Sequence, residues 1–348
     1  MLKKKILKFG KSFKDIEAIK KNFFRENNNL LKSQDKINKI YQAQPKRTKC
    51  KACNLKLNGP SFLNHGIKYI ECNKCTHVNG YHQDNTLFSE KIYVTENKQY
   101  AKTYHETNLK KFKIRQKNIY DPKALFLKNC FKNPKKIKVL DVGAGSGYFI
   151  SSLIKYGFQD VSGVEISRTQ VKLGKKFLEK IHKRSDKLSN ITFNEIIKLV
   201  DTTDFNCLSM IGSLEHMEDM STIMKSIKKN KKIKYLYILV PMASFLCVVE
   251  NLFPKVFNRQ LGGGHTHLFS EKSLTKFMNN YGFVDYSSWW FGTDVHDLYR
   301  SIILDMEEKK YKPLQNIALD MKNIIDNLQF QLDKKKISSE VHMLLKRK

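Results

Sequence analysis

The chain has 348 residues, with 64 Lys and Arg against 33 Asp and Glu for a formal net charge of +31, and 41% of its residues are hydrophobic. That is enough apolar material for a sizeable core, so disorder throughout is excluded, and the length suggests one large domain with a smaller attachment or two domains. The longest apolar stretch, residues 235–249, is interrupted by Pro241 and falls short of the roughly 20 residues of a membrane span, so no transmembrane helix is expected.

The opening MLKKKILKFGKSFKD has no continuous apolar run and no small-residue cleavage site after it, which predicts a cytoplasmic protein. Only 8 of the 64 basic residues are Arg. Phosphate and base recognition favours the planar Arg fork, so the charge reads as a drift toward Lys, Asn and Ile rather than as a nucleic-acid surface. Residues 1–45 are basic, with Ile16, Ile19, Phe23 and Phe24 at loosely helical spacing, and read as a solvated helical or partly frayed arm. Residues 46–85 carry four cysteines, turn-forming Gly59, Pro60, Gly66 and Gly80, and a strand-like Ile67–Glu71. A connector over 86–130 contains Tyr93, Tyr100 and Tyr104 and leads into a helix expected over Leu109–Asn129.

From residue 131 to the end, strands alternate with helices. Strands are expected at Ile137–Val142, Val161–Glu165, Ile191–Asn194, Phe205–Ile211, Tyr235–Val240, Phe283–Trp290 and Val341–Leu345. Helices are expected at Tyr148–Tyr156, Thr169–His182, Asp219–Lys229 and Glu271–Tyr281. This alternation predicts an α/β fold, a mainly parallel sheet covered on both faces.

The cysteines are spaced Cys50-x2-Cys53, then eighteen residues, then Cys72-x2-Cys75. Two such turns each present a thiolate pair on one side of a tight loop, and together they complete a tetrahedral shell for Zn2+. Two disulfides are disfavoured in a reducing compartment. Four protein ligands leave no open position, so the zinc is expected to be structural, stabilising a segment too small to fold on its own core. His65, His77 and His82 lie nearby but are superfluous as ligands, and Cys130, Cys207 and Cys247 read as packing.

After the strand KIKVLDV comes Asp141-x-Gly143-x-Gly145-x-Gly147, opening directly into a helix. Glycines are needed where a strand reverses into a helix and the backbone approaches a ligand closely, and the helix N-terminus offers free amides. Glu165, at the tip of the next strand, is an acceptor suited to paired ribose hydroxyls. The dinucleotide pattern G-x-G-x-x-G fails because position 148 is Tyr, so a nucleoside without pyrophosphate fits better than NAD.

These segments resemble the class I S-adenosylmethionine-dependent methyltransferases. VLDVGAGSGYF looks like their first motif and GVEIS like the second; FNCLSMIGSLEHMED is similar to the fourth strand and the LEH sequence after it, and YILVP to the fifth strand. GGGHTHLFSEKSLTKFMNNYGF resembles a segment of a subgroup that carries an N-terminal four-cysteine zinc domain and includes sugar C-methyltransferases and surface-glycan enzymes. The resemblance covers roughly residues 48–348. It implies a Rossmann-like seven-stranded sheet with an antiparallel last strand, and S-adenosylmethionine over the carboxyl ends of the strands. Asp141, Gly143, Gly145 and Gly147 would line the methionine and ribose, Glu165 would hold the ribose hydroxyls and Ile166 would pack on the adenine. Asn194 or Glu195 would contact the adenine amine. The subgroup's Tyr-x-Glu-His is replaced here by Gly262, Gly263 and Gly264 leading into His265, which weighs against sugar carbon methylation.

Methyl transfer from a sulfonium is an in-line displacement, so the protein must position the acceptor and remove its proton. A histidine has the right pKa, and the candidates are His216 in LEHMED and the pair His265 and His267 in the glycine-flanked loop. Tyr100, Tyr104 and Arg115 are weaker candidates for closing over the cofactor, and Trp289 with Trp290 reads as a strand and its flanking surface. The expected partner is a small molecule, with a nucleotide-linked sugar or glycan precursor foremost. The competing reading is an RNA methyltransferase in which the zinc module and basic arm grip phosphates. Against it, Ser213-Leu214-Glu215-His216 lacks the Asn-Pro-Pro-aromatic sequence of base-amine methylation. A non-catalytic scaffold is disfavoured by the intact turn, and the oligomeric state is left open.

Overall fold

The computed structural model describes residues 2–13, 22–85, 88, 92, 108–262 and 264–348. Twelve strands are found among them: β1 (Leu7–Phe9), β2 (Ser61–Asn64), β3 (Ile67–Glu71), β4 (Val78–Gly80), β5 (Val139–Val142), β6 (Val161–Glu165), β7 (Leu188–Asn190), β8 (Cys207–Ile211), β9 (Tyr235–Pro241), β10 (His267–Leu268), β11 (Phe283–Phe291) and β12 (Glu340–Arg347). Eight of them form one sheet in the order β1-β11-β12-β9-β8-β5-β6-β7. β5 through β9 pair in parallel, and β12 runs antiparallel to both β9 and β11. This is the Rossmann-like seven-stranded sheet with an antiparallel last strand that the resemblance implies, extended by one strand.

Both faces are buried because successive side chains on a strand point to opposite layers. Leu236, Ile238 and Val240 of β9 pack with Ile223, Ile227 and Phe277 on one side. Tyr237 packs with Phe126, Phe149 and Trp289 on the other. No described helix is long and apolar enough to cross a membrane.

The eighth strand differs from the solvated helical arm expected for residues 1–45. β1 adds in parallel to the edge of β11, with Leu7 opposite Ser288 and Phe9 opposite Trp290. The indole of Trp289 donates to Gly10 O at 2.8 Å, and the Lys8 ammonium lies 3.8 Å from the centroid of that ring. An open sheet edge satisfies the backbone of any extended segment, so residues 7–9 join it as a strand, while Phe23 and Phe24 lie in the short helix Asn22–Arg25. Ile16 and Ile19 lie outside the described residues. The helix Asn27–Gln42 packs through Tyr41 on Ile67, Tyr69 and Val78. Trp289 and Trp290 are each 1% exposed, one in each layer, so neither forms a surface platform.

Two other boundaries moved for local reasons. The third parallel strand is Leu188–Asn190 rather than Ile191–Asn194. Thr192 and Glu195 form a reciprocal capping box that starts the helix Phe193–Thr202. Glu195 is spent on that cap, accepting from Thr192 N at 2.7 Å. The helix expected over Leu109–Asn129 is interrupted by a π-helical turn at Gln116–Tyr120, just before Pro122.

The remaining four strands form an antiparallel sheet in the order β10-β4-β3-β2. Three come from residues 46–85, but β10 comes from the loop between β9 and β11. His267 sits opposite Asn79 and Leu268 opposite Val78, so the cysteine segment shares a sheet with the loop that carries the candidate histidines.

Candidate functional site

The Asp141–Gly147 turn reverses β5 into the helix Tyr148–Lys155. Gly143, Gly145 and Gly147 have φ of 79°, 53° and 72°, the left-handed region that glycine enters without strain. Glu165, at the end of β6, accepts from Gly145 N through Oε2 and from Ser167 N through Oε1, both at 2.9 Å. A carboxylate has about four lone-pair sites, so acceptor capacity remains for a diol. Ile166 beside it is 41% exposed, an apolar surface next to the polar one. Asp141 is 2% exposed and accepts from Ser209 Oγ at 2.6 Å. Burial pushes its carboxyl up to about 7, and burial also raises Glu165. These residues fit a sulfonium nucleoside: a glycine-lined turn, a held carboxylate for the ribose hydroxyls and an exposed aliphatic side chain for a flat base.

The turn after β8 abuts this one. A Cβ on Gly143 would lie 2.6 Å from Ser213 Cβ, and Ser213 Oγ donates to Val142 O at 2.7 Å. A 3-10 turn, Leu214–His216, follows. Glu215 is 4% exposed, and burial, with the nearby Glu340 carboxylate adding to it, pushes its carboxyl up to about 8. His216 and His265 are partly exposed, their rings stacked at 5.6 Å between centroids and 20° between planes. Burial holds both imidazoles below the ordinary histidine range. Donor atoms of Glu215, His216 and His265 all lie within 4.8 Å of one another. His265 Nδ1 lies 3.1 Å from Gln260 O; a carbonyl only accepts, so the proton sits on Nδ1 and the lone pair on Nε2.

His267 is placed differently. It is fully buried, its Nε2 donates to Glu215 O at 2.9 Å and its Nδ1 lies 3.0 Å from His77 Nε2. The neutral tautomers that satisfy both contacts run His77 to His267 to the Glu215 carbonyl, a relay from the cysteine segment into the Glu215 turn. Neither nitrogen of His267 faces open space.

The four cysteines converge. Cys50 Sγ lies 3.6 Å from Cys75 Sγ, Cys53 Sγ lies 3.8 Å from Cys72 Sγ, and all four are mutually within 4.8 Å. A tetrahedron with about 2.3 Å from zinc to sulfur places its sulfurs ~3.8 Å apart, so the set fits the ion. Asn54 and Thr76, each just after a Cys-x-x-Cys pair, take φ of 59° and 60° and close the loops back onto Cys50 O and Cys72 O. Asn79 donates to Cys50 Sγ at 3.5 Å, a supporting contact that orients the thiolate.

Several contributors escaped the sequence reading. Lys51, inside the first Cys-x-x-Cys, is buried and ion-paired with Asp84, which also pairs with Arg47 and accepts from Thr266 Oγ1 at 2.8 Å. This ties the cysteine segment to the His265 loop a second time. Lys123 is buried, its ammonium 5.1 Å from the Tyr120 ring and lowered by burial to about 7. Both are lysines in a Lys-rich chain, and nothing in their spacing singles them out. Arg115 lies 5.7 Å from the Tyr148 ring beside the glycine turn. Tyr100 and Tyr104 lie outside the described residues, and Asn194 belongs to the first turn of the helix after β7.

A family model described as a methyltransferase domain matches residues 114–288, half of the chain. EEF1A lysine methyltransferase 2 of Mus musculus is 40% identical over 60 residues, 17% of this chain and 22% of that protein. The mitochondrial ubiquinone biosynthesis O-methyltransferase of Candida albicans is 26% identical over 139 residues, 39% of this chain and 42% of that one. The chain thus spans less than half the length of either curated relative. Among solved structures, magnesium protoporphyrin IX methyltransferase from Synechocystis PCC 6803 with bound SAH aligns with a TM-score of 0.46 and 14% identity, covering 76% of this chain and 99% of that one. Geranyl diphosphate C-methyltransferase from Streptomyces coelicolor aligns with a TM-score of 0.40 and 13% identity, covering 70% and 85%. With the matched segment running from the helical connector into β11 and taking in the glycine turn, Glu165 and the Glu215 turn, this chain belongs to the methyltransferase domain family.

Proposed function

We propose that this chain is an S-adenosylmethionine-dependent methyltransferase and that it methylates a hydroxyl of a small polar acceptor, of the sugar or glycan-precursor class, at the cleft between the Asp141–Gly147 turn and the Glu215–His216–His265 cluster. The observation that carries this reading is the contact of Ser213 with Gly143, which sets the turn carrying Glu215 and His216 beside the glycine turn. In this reading Asp141 and the three glycines hold the methionine and ribose, Glu165 the ribose hydroxyls, and Ile166 the adenine. S-adenosylmethionine supplies a methyl group on a sulfonium. The chain's own residues orient the acceptor oxygen toward that group and deprotonate it at the His216–His265 pair. His267 acts as a positioning residue, holding the Glu215 turn through its carbonyl. The four cysteines hold a structural zinc that fixes β4 beside β10. Neutral, partly exposed imidazoles next to a buried carboxylate suit a hydroxyl, which must lose a proton to become a nucleophile.

The test is methyl uptake from labelled S-adenosylmethionine into nucleotide sugars, free glycosides and transfer RNA offered side by side. Label in a hydroxylated small molecule, abolished in a His216→Ala, His265→Ala double variant that still binds S-adenosylhomocysteine, is the expected outcome. Label in RNA alone overturns it.

A further inference from the structure

Among the described residues there are two clusters of metal-ligating side chains, and only the four cysteines are accounted for by a structural role. The second cluster is Glu215, His216 and His265, whose donor atoms lie within 4.8 Å of one another. Three features set it apart from an incidental grouping. Glu215 is 4% exposed, and its Oε2 is buried with no hydrogen-bond partner among the described residues. A buried carboxylate oxygen left unpaired costs free energy on the order of 1–3 kcal/mol or more, which a cation would remove. His265 donates through Nδ1 to Gln260 O, which leaves the lone pair on Nε2, the arrangement metal-ligating histidines adopt when the other nitrogen is tied to a carbonyl. The Glu215 turn is itself backed by the His77–His267 relay, which holds the backbone while the carboxylate stays available. His216 Nε2 lies 3.9 Å from Glu215 Oε1, against about 3.4 Å between the ligand atoms of a tetrahedral site with bonds of about 2.1 Å.

We propose that Glu215, His216 and His265 form an open three-ligand site for a divalent transition-metal cation, and that its free positions take the oxygens of the methyl acceptor. Two imidazoles and one carboxylate suit Mn2+, Fe2+, Co2+ or Zn2+ better than the all-oxygen shells of Ca2+ or Mg2+. Three protein ligands leave positions open for substrate, unlike the four-cysteine set. The cluster is exposed on its histidine side and adjoins the glycine turn through Ser213 and Gly143, so an oxygen bound there stands beside the cofactor turn. One carboxylate against a dication leaves a net positive site that favours an ionised oxygen, and coordination lowers the pKa of a bound hydroxyl. Lys51, an ammonium of the cysteine segment, is ion-paired with Asp84, which it shares with Arg47. An acceptor with two neighbouring oxygens, as in a vicinal diol, fills two open positions and is fixed in orientation.

The inference rests on the proposed O-methylation and refines it. The hydroxyl proton goes to solvent when the oxygen binds, the oxygen lone pair forms the new bond to the methyl carbon, and the carbon–sulfur bond breaks with its electrons left on sulfur. His216 and His265 then act as ligands rather than as the base.

The experiment uses the full chain with its cysteine site filled by zinc, titrated with Mn2+ while free Mn2+ is followed by electron paramagnetic resonance, and with Co2+ by absorbance. One further equivalent should bind. Glu215→Ala or His265→Ala should weaken it by more than the roughly 10–100-fold that losing a supporting partner costs, with zinc content and melting profile retained. Binding of neither ion, or equal binding by wild type and both variants, overturns the site. Calorimetry with S-adenosylhomocysteine separates the two readings: heat with that nucleoside and none with either metal removes the cation alone, whereas no heat with the nucleoside removes the methyl-transfer reading.

Discussion

Replacing Asp141 with Asn should flatten the pH dependence of stability of the cofactor-free protein. Asp141 is buried beneath the glycine turn, bonded to Ser209 and titrating at about 7 instead of 3.8. Burial is the largest cause, with the Glu165 carboxylate adding to it and the Lys123 ammonium partly offsetting it. The folded protein therefore keeps a proton that the unfolded chain has released. The stability tied to that proton is full below the unfolded pKa, is lost as pH rises toward about 7, and changes little above it. At about 1.4 kcal/mol per unit, the loss between pH 5 and pH 8 is of the order of 2.6 kcal/mol. Asn keeps an oxygen for Ser209 and has no proton to lose. Urea unfolding of both proteins at pH 5, 6, 7 and 8 without cofactor isolates the effect, because every other titrating group is common to the two. Wild type should lose about 2–3 kcal/mol more than Asp141→Asn over that range. Parallel curves would refute the reasoning, since they would mean that water reaches the carboxylate and that the turn is not closed over it.

Gly143→Ala must place a Cβ 2.6 Å from Ser213 Cβ at a φ of +79°; it should cost on the order of 1–3 kcal/mol of stability and lower affinity for S-adenosylhomocysteine, measured by unfolding and calorimetry. Glu165→Ala removes the carboxylate that caps the Gly145 and Ser167 amides; nucleoside affinity should fall by about 1.5–3 kcal/mol, the range for hydrogen bonds to a charged group, with little change in fold by circular dichroism. Removing zinc with a chelator, or Cys75→Ala, should release β4 from β10, seen as faster amide exchange at Gly80, whose N–H bonds Thr266 O, while the exchange of β5 and β8 stays slow. Deleting residues 2–10 should expose Trp289, which now donates to Gly10 O, and red-shift its fluorescence without removing nucleoside binding.

Six of the seven strands expected from residue 137 onward were legible because both faces of a parallel sheet are buried and each strand reads as an apolar run, whereas the helices Phe193–Thr202, Phe245–Leu252, Asp294–Glu308 and Ile325–Lys334 were not expected. The glycine turn and Glu165 were legible because their chemistry is written in short spacings, and the four cysteines for the same reason. The third strand was misplaced although Thr192-x-x-Glu195, a capping box, was there to be read. The helical character of residues 1–45 was legible over Asn27–Gln42, but β1 was not, since it is a strand only because β11 leaves an edge at Ser288–Trp290 for it to join. The two lysines at 51 and 123 carry no local signal, since burial is decided by what surrounds them.

What the sequence determined by itself is the set of structures closed within a few turns of chain: the Asp141–Gly147 reversal, the paired Cys-x-x-Cys loops and the alternation of elements. Their geometry follows from backbone dihedrals and residue type over spans of a few residues. Only the tertiary structure decided that His267 is sealed into a relay while His265 stacks on His216, that β4 and β10 share a sheet, and that Ser213 touches Gly143. These contacts join residues some 50 to 190 positions apart, and neither partner's neighbours specify the other; the packing of two sheets against one loop does.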